Sequence, residues 1–273
     1  MWATPVDGVV DVRAVNAELH VVRAVAMGMP NCQISSTMSK SVTITQSNYV
    51  PWKGYFDLIR ASDEFILYDN VQYTRRDWRN RNLIKTPAGL RWLTIPVEVH
   101  GKYHQSVETT RIAEPGWHLT HWRSIETNYA RAAGFASVAP WLRDLLESVA
   151  DVPLLSVVNE RLLRAVCVRL RITTPILRST DLLDREAMQD MNPTDRLLQL
   201  CVAAGATRYL SGPSARNYLE TTRFDERGIE VVWMDYDHYP EYPQLWGTFS
   251  HGVSIVDLLL NVGDDASRYL KPA

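Results

Sequence analysis

"SVTITQSNYVPWKGYFDLIR", residues 41 to 60, decides the fold. Ser41 to Thr45 is a short run of small and β-branched residues, the pattern of a buried strand. Trp52, Tyr55, Phe56 and Ile59 recur at helical spacing, with Pro51 at a first-turn position, so a helix is predicted over Trp52 to Arg60. Between them stand Gln46, Ser47, Asn48 and Tyr49. A plain strand-to-helix turn needs neither two amides nor two aromatic rings, so this corner reads as one built to hold something.

The pattern continues outward. "EFILYDNV", Glu64 to Val71, is a second strand. "NLIKTPAGLRWLTIPVEV" gives two strands around Pro87-Ala88-Gly89, a hairpin signal. Helical patterns run from Trp117 to Ala133 and on through Leu146 and Leu170, broken at Gly134 and Pro153. "PILRST", "TRYLSG" and "GIEVVWMDYD" are strands, "PTDRLLQLCVAAGA" a helix capped near Gly205, "PSARNYLE" a short helix, and "GVSIVDLLLNVG" an amphipathic helix ending at Gly263. This alternation predicts an α/β fold: a mostly parallel, Rossmann-like sheet with flanking helices, a β-hairpin insertion and a helical middle segment. Residues 41–273 read as one domain, with 115–170 as a candidate helical cap. Residues 1–40 show no sustained period and read as an amino-terminal extension, poorly ordered or the product of an upstream start, with Met27, Met29 and Met38 as alternative starts. In parallel sheets ligands sit beyond the carboxyl ends of the strands. The corners to examine are therefore "TQSNYVPW", "YDNVQYTRR", "RSTD", "YLSGPS" and "MDYDHY".

Composition bounds the function. The 273 residues are 46% apolar and 22% charged, with a net charge of −2, so no global field draws in nucleic acid or a membrane surface. No apolar run reaches the roughly 18 residues of a membrane span, and no secretory segment follows a basic start. A cytoplasmic protein is expected, without membrane insertion or a nucleic-acid partner. Cys32, Cys167 and Cys201 form no CxxC pair, and the latter two lie in apolar helical patterns as core fillers. GxSxG, GxGxxG and GxxxxGK[ST] loops are all missing, which disfavours a Walker-type ATPase or a plain dinucleotide enzyme.

The densest chemical cluster is "YDNVQYTRRDWRNRNLIK", where Arg75, Arg76, Arg79, Arg81 and Lys85 face only Asp69 and Asp77. Arginine forks suit phosphate or carboxylate, and Tyr73 and Trp78 offer flat stacking faces. The bland alternative is a solvated hairpin face. His118 and His121 share a helix face, but neither HExxH nor a Cys/His set completes a metal site, so no metal is assigned. His251, at a corner before the last helix, is the better candidate base; His100 and His104 read as surface residues. Asp235 and Asp237 could face a cation, a ribose or an amine. The proline-stiffened stretch "DYDHYPEYPQLWGTFSH" is either a packed edge cover or the wall of a pocket, with Gln244 and His251 pointing inward.

Three segments together resemble the WbqC-like protein family: "TQSNYVPWKGYFDLI", "YDNVQYTRRDWRNRNLIKTPAGLRWLTIPV" and "YLSGPSARNYL" with "DYDHYPEYPQLWGTFSHGVSIVDLLLNVG". "GKYHQSVETTRI" and "WHLTHWRSIETNYARA" add to the likeness, which covers about residues 43 to 263. The resemblance implies a role in making or decorating a surface sugar (O-antigen type) or a secondary metabolite, and leaves the reaction open. The positions matching the family pattern are Gln46, Asn48, Tyr49, Trp52, Gly54, Asp69, Gln72, Tyr73, Trp78, Arg79, Arg81, Lys85, His121, Gly212, Gln244 and His251. On these the expected activity is acyl or aminoacyl transfer to an amine. His121 or His251 is the base, and Asn48 with nearby backbone amides holds the oxyanion. The other matched side chains, with Gly212, bind an anionic small molecule. The donor would be a thioester, either coenzyme A or the phosphopantetheine of a carrier protein. A fainter likeness links the P-x-x-G-aromatic corner to nucleotidylyltransferases with an HxGH signature, although Trp52 and Tyr55 stand where histidines would. That leaves a nucleotide-using enzyme and a non-catalytic scaffold as alternatives.

Overall fold

The structure is a computed structural model that describes residues 39–271. Apart from Ser39 and Lys40, the proposed amino-terminal extension lies outside the described residues. In chain order the elements are β1 (Ser41–Thr45), α1 (Lys53–Arg60), β2 (Glu64–Leu67), β3 (Arg81–Thr86), β4 (Gly89–Thr94), α2 (Trp117–Tyr129), α3 (Phe135–Glu147), α4 (Leu155–Arg169) and β5 (Ile176–Arg178). There follow α5 (Ser179–Leu182), α6 (Arg185–Gln189), α7 (Pro193–Ala203), β6 (Arg208–Ser211), α8 (Thr222–Asp225), β7 (Glu230–Trp233) and α9 (Ile255–Val262).

Five strands form one parallel sheet in the order β5-β2-β1-β6-β7, and β3 and β4 pair as a separate antiparallel hairpin. The chain winds outward from β1 through β2 to β5, then returns to β6 on the other side of β1. The carboxyl ends of β1 and β6 therefore splay apart, and a crevice opens at this reversal. Alternation along β2 divides the core. Phe65 and Leu67 join one cluster with α1, α2, α3, α4 and α9, whereas Ile66 joins Val42, Ile44 and Tyr209 under α7 and α8. With both faces covered, the central strands are mostly buried, Phe65, Ile66 and Leu67 of β2 and Val42 and Ile44 of β1 among them.

Three local expectations need correction. The second strand ends at Leu67, not Val71. Beyond it the backbone turns to the loop at 105–108: Val107 N–H donates to the Val71 carbonyl and Glu108 N–H to that of Asp69, at 3.0 and 2.8 Å. Pro51 lies outside α1, whose N-cap is Trp52. "PSARNYLE" forms a 3₁₀ turn over Pro213–Asn217 instead of an α-helix. The helical middle contributes its apolar face to the main core. Gly134, at the start of α3, sits so close to Gly263 that an added Cβ would lie 2.3 Å from the Gly263 nitrogen.

Candidate functional site

The crevice between β1 and β6 is a cleft of about 790 Å³. Its floor is the end of β1 with Gln46 and Asn48. Its far wall is Ser211-Gly212-Pro213-Ser214 after β6, and Tyr68, Gln72, Arg79, Arg196, Tyr218 and Tyr236 close the rim. The corner carrying Gln46 to Trp52 is held from several sides. Asp69 accepts the Ser47 N–H at 2.8 Å, Tyr49 N–H donates to the Trp78 carbonyl at 3.0 Å, and Asn159 on α4 donates to both Ser47 Oγ and the Arg79 carbonyl. Val50 has φ +34°, a conformation that costs a β-branched residue about 1–3 kcal/mol. Its carbonyl accepts from Asn82 Nδ2 at 3.0 Å and from Ser254 Oγ at 2.7 Å, and these two bonds hold it there.

Arg79 organises the floor. Its guanidinium donates to Asn48 Oδ1 at 2.8 Å and to Gln46 Oε1. Because arginine has no acceptor, both amide oxygens must face it and both amide nitrogens turn away. Neither nitrogen has a hydrogen-bond partner among the described residues, and both residues line the cleft. The result is a pair of N–H donors backed by a positive charge. That charge is only loosely compensated, since Asp77 stands 3.7 Å away. Arg196 adds a second charge. It is held by the carbonyls of Gln189 and Met191, with no ion pair among the described residues.

A second cavity of about 380 Å³ adjoins the first and is lined by Asn48, Pro51, Trp52, Trp78, Asn82, His251 and Gly252. Asn48 and Trp52 border both spaces. Trp52 can lie flat over the start of α1 because residue 54 is glycine: a Cβ there would fall 2.3 Å from the indole. The imidazole of His251 is exposed and packs edge-on against Phe249 at 4.6 Å. Partial burial and the nearby Lys53 ammonium lower its pKa, which favours the neutral, proton-accepting imidazole. Lys53 is itself held in a cage of Tyr239, Tyr242 and Phe249, with Nζ 2.7 Å from the Pro240 carbonyl; burial lowers its pKa to about 8.

Of the remaining expected site residues, Gln72 lines the cleft and Trp78 the second cavity, and the others lie elsewhere. His121 is buried on α2, with Nδ1 2.8 Å from Tyr49 Oη and Nε2 3.1 Å from the Thr94 carbonyl. Burial lowers its pKa to about 4. With both nitrogens occupied, it reaches neither cavity and is not placed to act as a base. Tyr49 and Tyr73 are buried core residues. Lys85 and Gln244 belong to a closed network: Lys85 Nζ donates to Gln244 Oε1 at 2.8 Å, and Gln244 Nε2 donates to Asp257 at 2.7 Å. Arg81 stacks over Trp92 at 4.0 Å, away from the cleft, and Trp78 packs beside Trp92 at 5.3 Å. Asp69 turns to the opposite sheet face, into a smaller cavity with Glu108, Glu160, Arg178 and Arg185, and burial raises its pKa to about 6. Gln72 lines the cleft while donating to the Tyr103 carbonyl. Arg196, Tyr68, Tyr218 and Tyr236 line the cleft and were not among the expected site residues. For Tyr68 the signal is its place directly after β2, at the carboxyl end of a strand where ligands sit in parallel sheets. No cluster of three or more potential metal ligands occurs among the described residues, and none of their helices is long and apolar enough to cross a membrane.

Fold and cleft together define an α/β protein with a doubly wound sheet and a crevice at its switch point. The model of the WbqC-like protein family matches residues 46–269, and the chain belongs to that family. It is also 51% identical over 232 residues, covering 85% of this chain and 98% of the relative, to "Uncharacterized protein Rv1507c" of Mycobacterium tuberculosis. No solved structure matches the chain.

Proposed function

We propose that this is a biosynthetic transferase that forms an amide, moving an acyl or aminoacyl group from a phosphate-bearing thioester donor to an amine of a sugar nucleotide or secondary-metabolite intermediate. The observation that carries the reading is the Arg79 clamp, which turns the amide nitrogens of Gln46 and Asn48 outward at the floor of a positively charged crevice. Donors fixed before the reaction stabilise charge developing on a carbonyl oxygen without reorganising at the moment of transfer. The donor's phosphates would lie along the Arg79 and Arg196 side of the cleft. From the adjoining cavity, His251 would take the proton of the attacking amine. A cytoplasmic location and a carrier-protein partner fit this reading.

The test uses the purified chain with coenzyme A thioesters and a panel of amines. Acylated product is expected, with Arg79→Gln lowering the rate by roughly 10²-fold or more, in the range of losing an oxyanion donor. If no thioester yields product and none raises the melting temperature, the reading fails.

The strand order and the proline-glycine corner also favour a second reading, a nucleotidylyltransferase-like enzyme. Against it, Trp52 has no phosphate-binding imidazole, and Tyr55 Oη is already donated to the Gln46 carbonyl at 2.8 Å. Release of pyrophosphate from ATP or CTP would revive it.

A further inference from the structure

Resting on the transfer reading and sharpening it, we propose that the cavity beside the cleft is the acceptor subsite and that it takes a planar, largely apolar amine in preference to an amino sugar. The walls are Pro51, Trp52, Trp78 and Gly252, and the polar residues present are Asn48, Asn82 and His251. Asn82 has spent both amide hydrogens and keeps one acceptor lone pair. Its Nδ2 donates to the carbonyls of Tyr49 and Val50 at 3.1 and 3.0 Å, and its Oδ1 accepts the Leu83 N–H at 2.8 Å. The unused capacity is therefore the Asn48 amide nitrogen, the His251 ring and one lone pair of Asn82 Oδ1. A hexosamine brings several hydroxyls into that space, and each one left unpaired against an indole weakens binding roughly tenfold. An aromatic amine brings a flat face for the indoles and one nitrogen for His251. At about 380 Å³ the cavity is within the usual range for small ligands, roughly 300–1,000 Å³.

The reaction balances on groups in place. The amine nitrogen attacks the thioester carbonyl carbon at the Asn48 boundary and loses a proton to His251. The carbonyl oxygen carries the transient negative charge toward the amides of Asn48 and Gln46. The C–S bond then breaks, and the leaving thiolate recovers the proton from His251 as a thiol, so the imidazole ends neutral.

Calorimetric titration with tryptamine and with glucosamine tests the proposal on the wild type, Trp78→Ala and Leu90→Ala. Trp78 is 42% exposed, so its truncation is expected to leave the fold intact; Leu90, exposed on β4, lines neither cavity and serves as control. Tryptamine is expected to bind at least tenfold more tightly than glucosamine, to weaken at least tenfold in Trp78→Ala, and to be unchanged in Leu90→Ala. With a thioester present, His251→Gln should slow amide formation by roughly 10²-fold. Equal binding of the two amines, no binding of tryptamine, or indifference to Trp78→Ala overturns the proposal. Failure of every thioester donor, with Trp78-dependent tryptamine binding retained, would instead sink the transfer reading and leave the aromatic-amine site standing.

Discussion

Two polar clusters in this molecule are built from similar residues and behave in opposite ways. Around Asp257, buried on α9, the network is closed. One carboxylate oxygen accepts from Tyr242, Gln244 and Asn261, the other from Tyr129 at 2.5 Å, and Tyr129 in turn accepts the Lys85 N–H. Around Arg79 the network is open, with two amide nitrogens unspent and a cleft in front of them. A cluster that satisfies itself contributes stability, whereas one left with oriented, unspent donors has capacity for a ligand.

The sharpest way to test that contrast is to remove the centre of the closed network. Asp257→Ala strands several buried donors and should cost roughly 3–5 kcal/mol, lowering the melting temperature by about 10 °C or more. A variant that melts like the wild type would break the distinction.

His121 offers a middle-sized effect read through pH. Its folded pKa of about 4 lies below the ordinary histidine value, so the unfolded chain takes up the proton first. Its contribution is fully present above about pH 6.5 and is lost as pH falls toward 4, by up to roughly 3 kcal/mol. Asp69, raised to about 6, acts in the opposite sense and loses its contribution as pH rises through that value. The difference between wild type and His121→Gln in denaturant melts at pH 7 and pH 4.5 isolates the histidine. The wild type should lose more stability on acidification than the variant.

The smallest change in stability belongs to the open cluster. Arg79→Gln should alter unfolding by about 1 kcal/mol or less, since its side chain is partly exposed and its pairing with Asp77 is loose. Thioester binding should nevertheless weaken by roughly 10- to 100-fold, the range of a lost charge-assisted interaction. Large destabilisation with unchanged binding would reverse the assignment of the two clusters.

Much of the frame was legible in the sequence. The period-2 run at Ser41 to Thr45, the helical spacing of Trp52, Tyr55, Phe56 and Ile59, and Pro87-Ala88-Gly89 at the hairpin all act locally, and local patterns are what a sequence displays. The corner at Gln46 to Trp52 was legible for the same reason, because it carries more polar and aromatic groups than a turn needs. The rest depended on pairings across long separations. Nothing near Lys85 says that its ammonium meets Gln244, 159 residues away. His251 is the better candidate along the chain, but nothing there says that Tyr49 and Thr94 occupy both ring nitrogens of His121 while His251 lines a cavity. β2 stopped early because residues 105–108 supplied backbone partners that no strand propensity reveals.

The indole of Trp52 is a partition between two chambers, and the missing side chain of Gly54 is what lets it lie in place. Any drift toward a bulkier residue at 54 would push the partition and reshape both chambers together. The shape of one chamber is thus mechanically tied to the shape of the other.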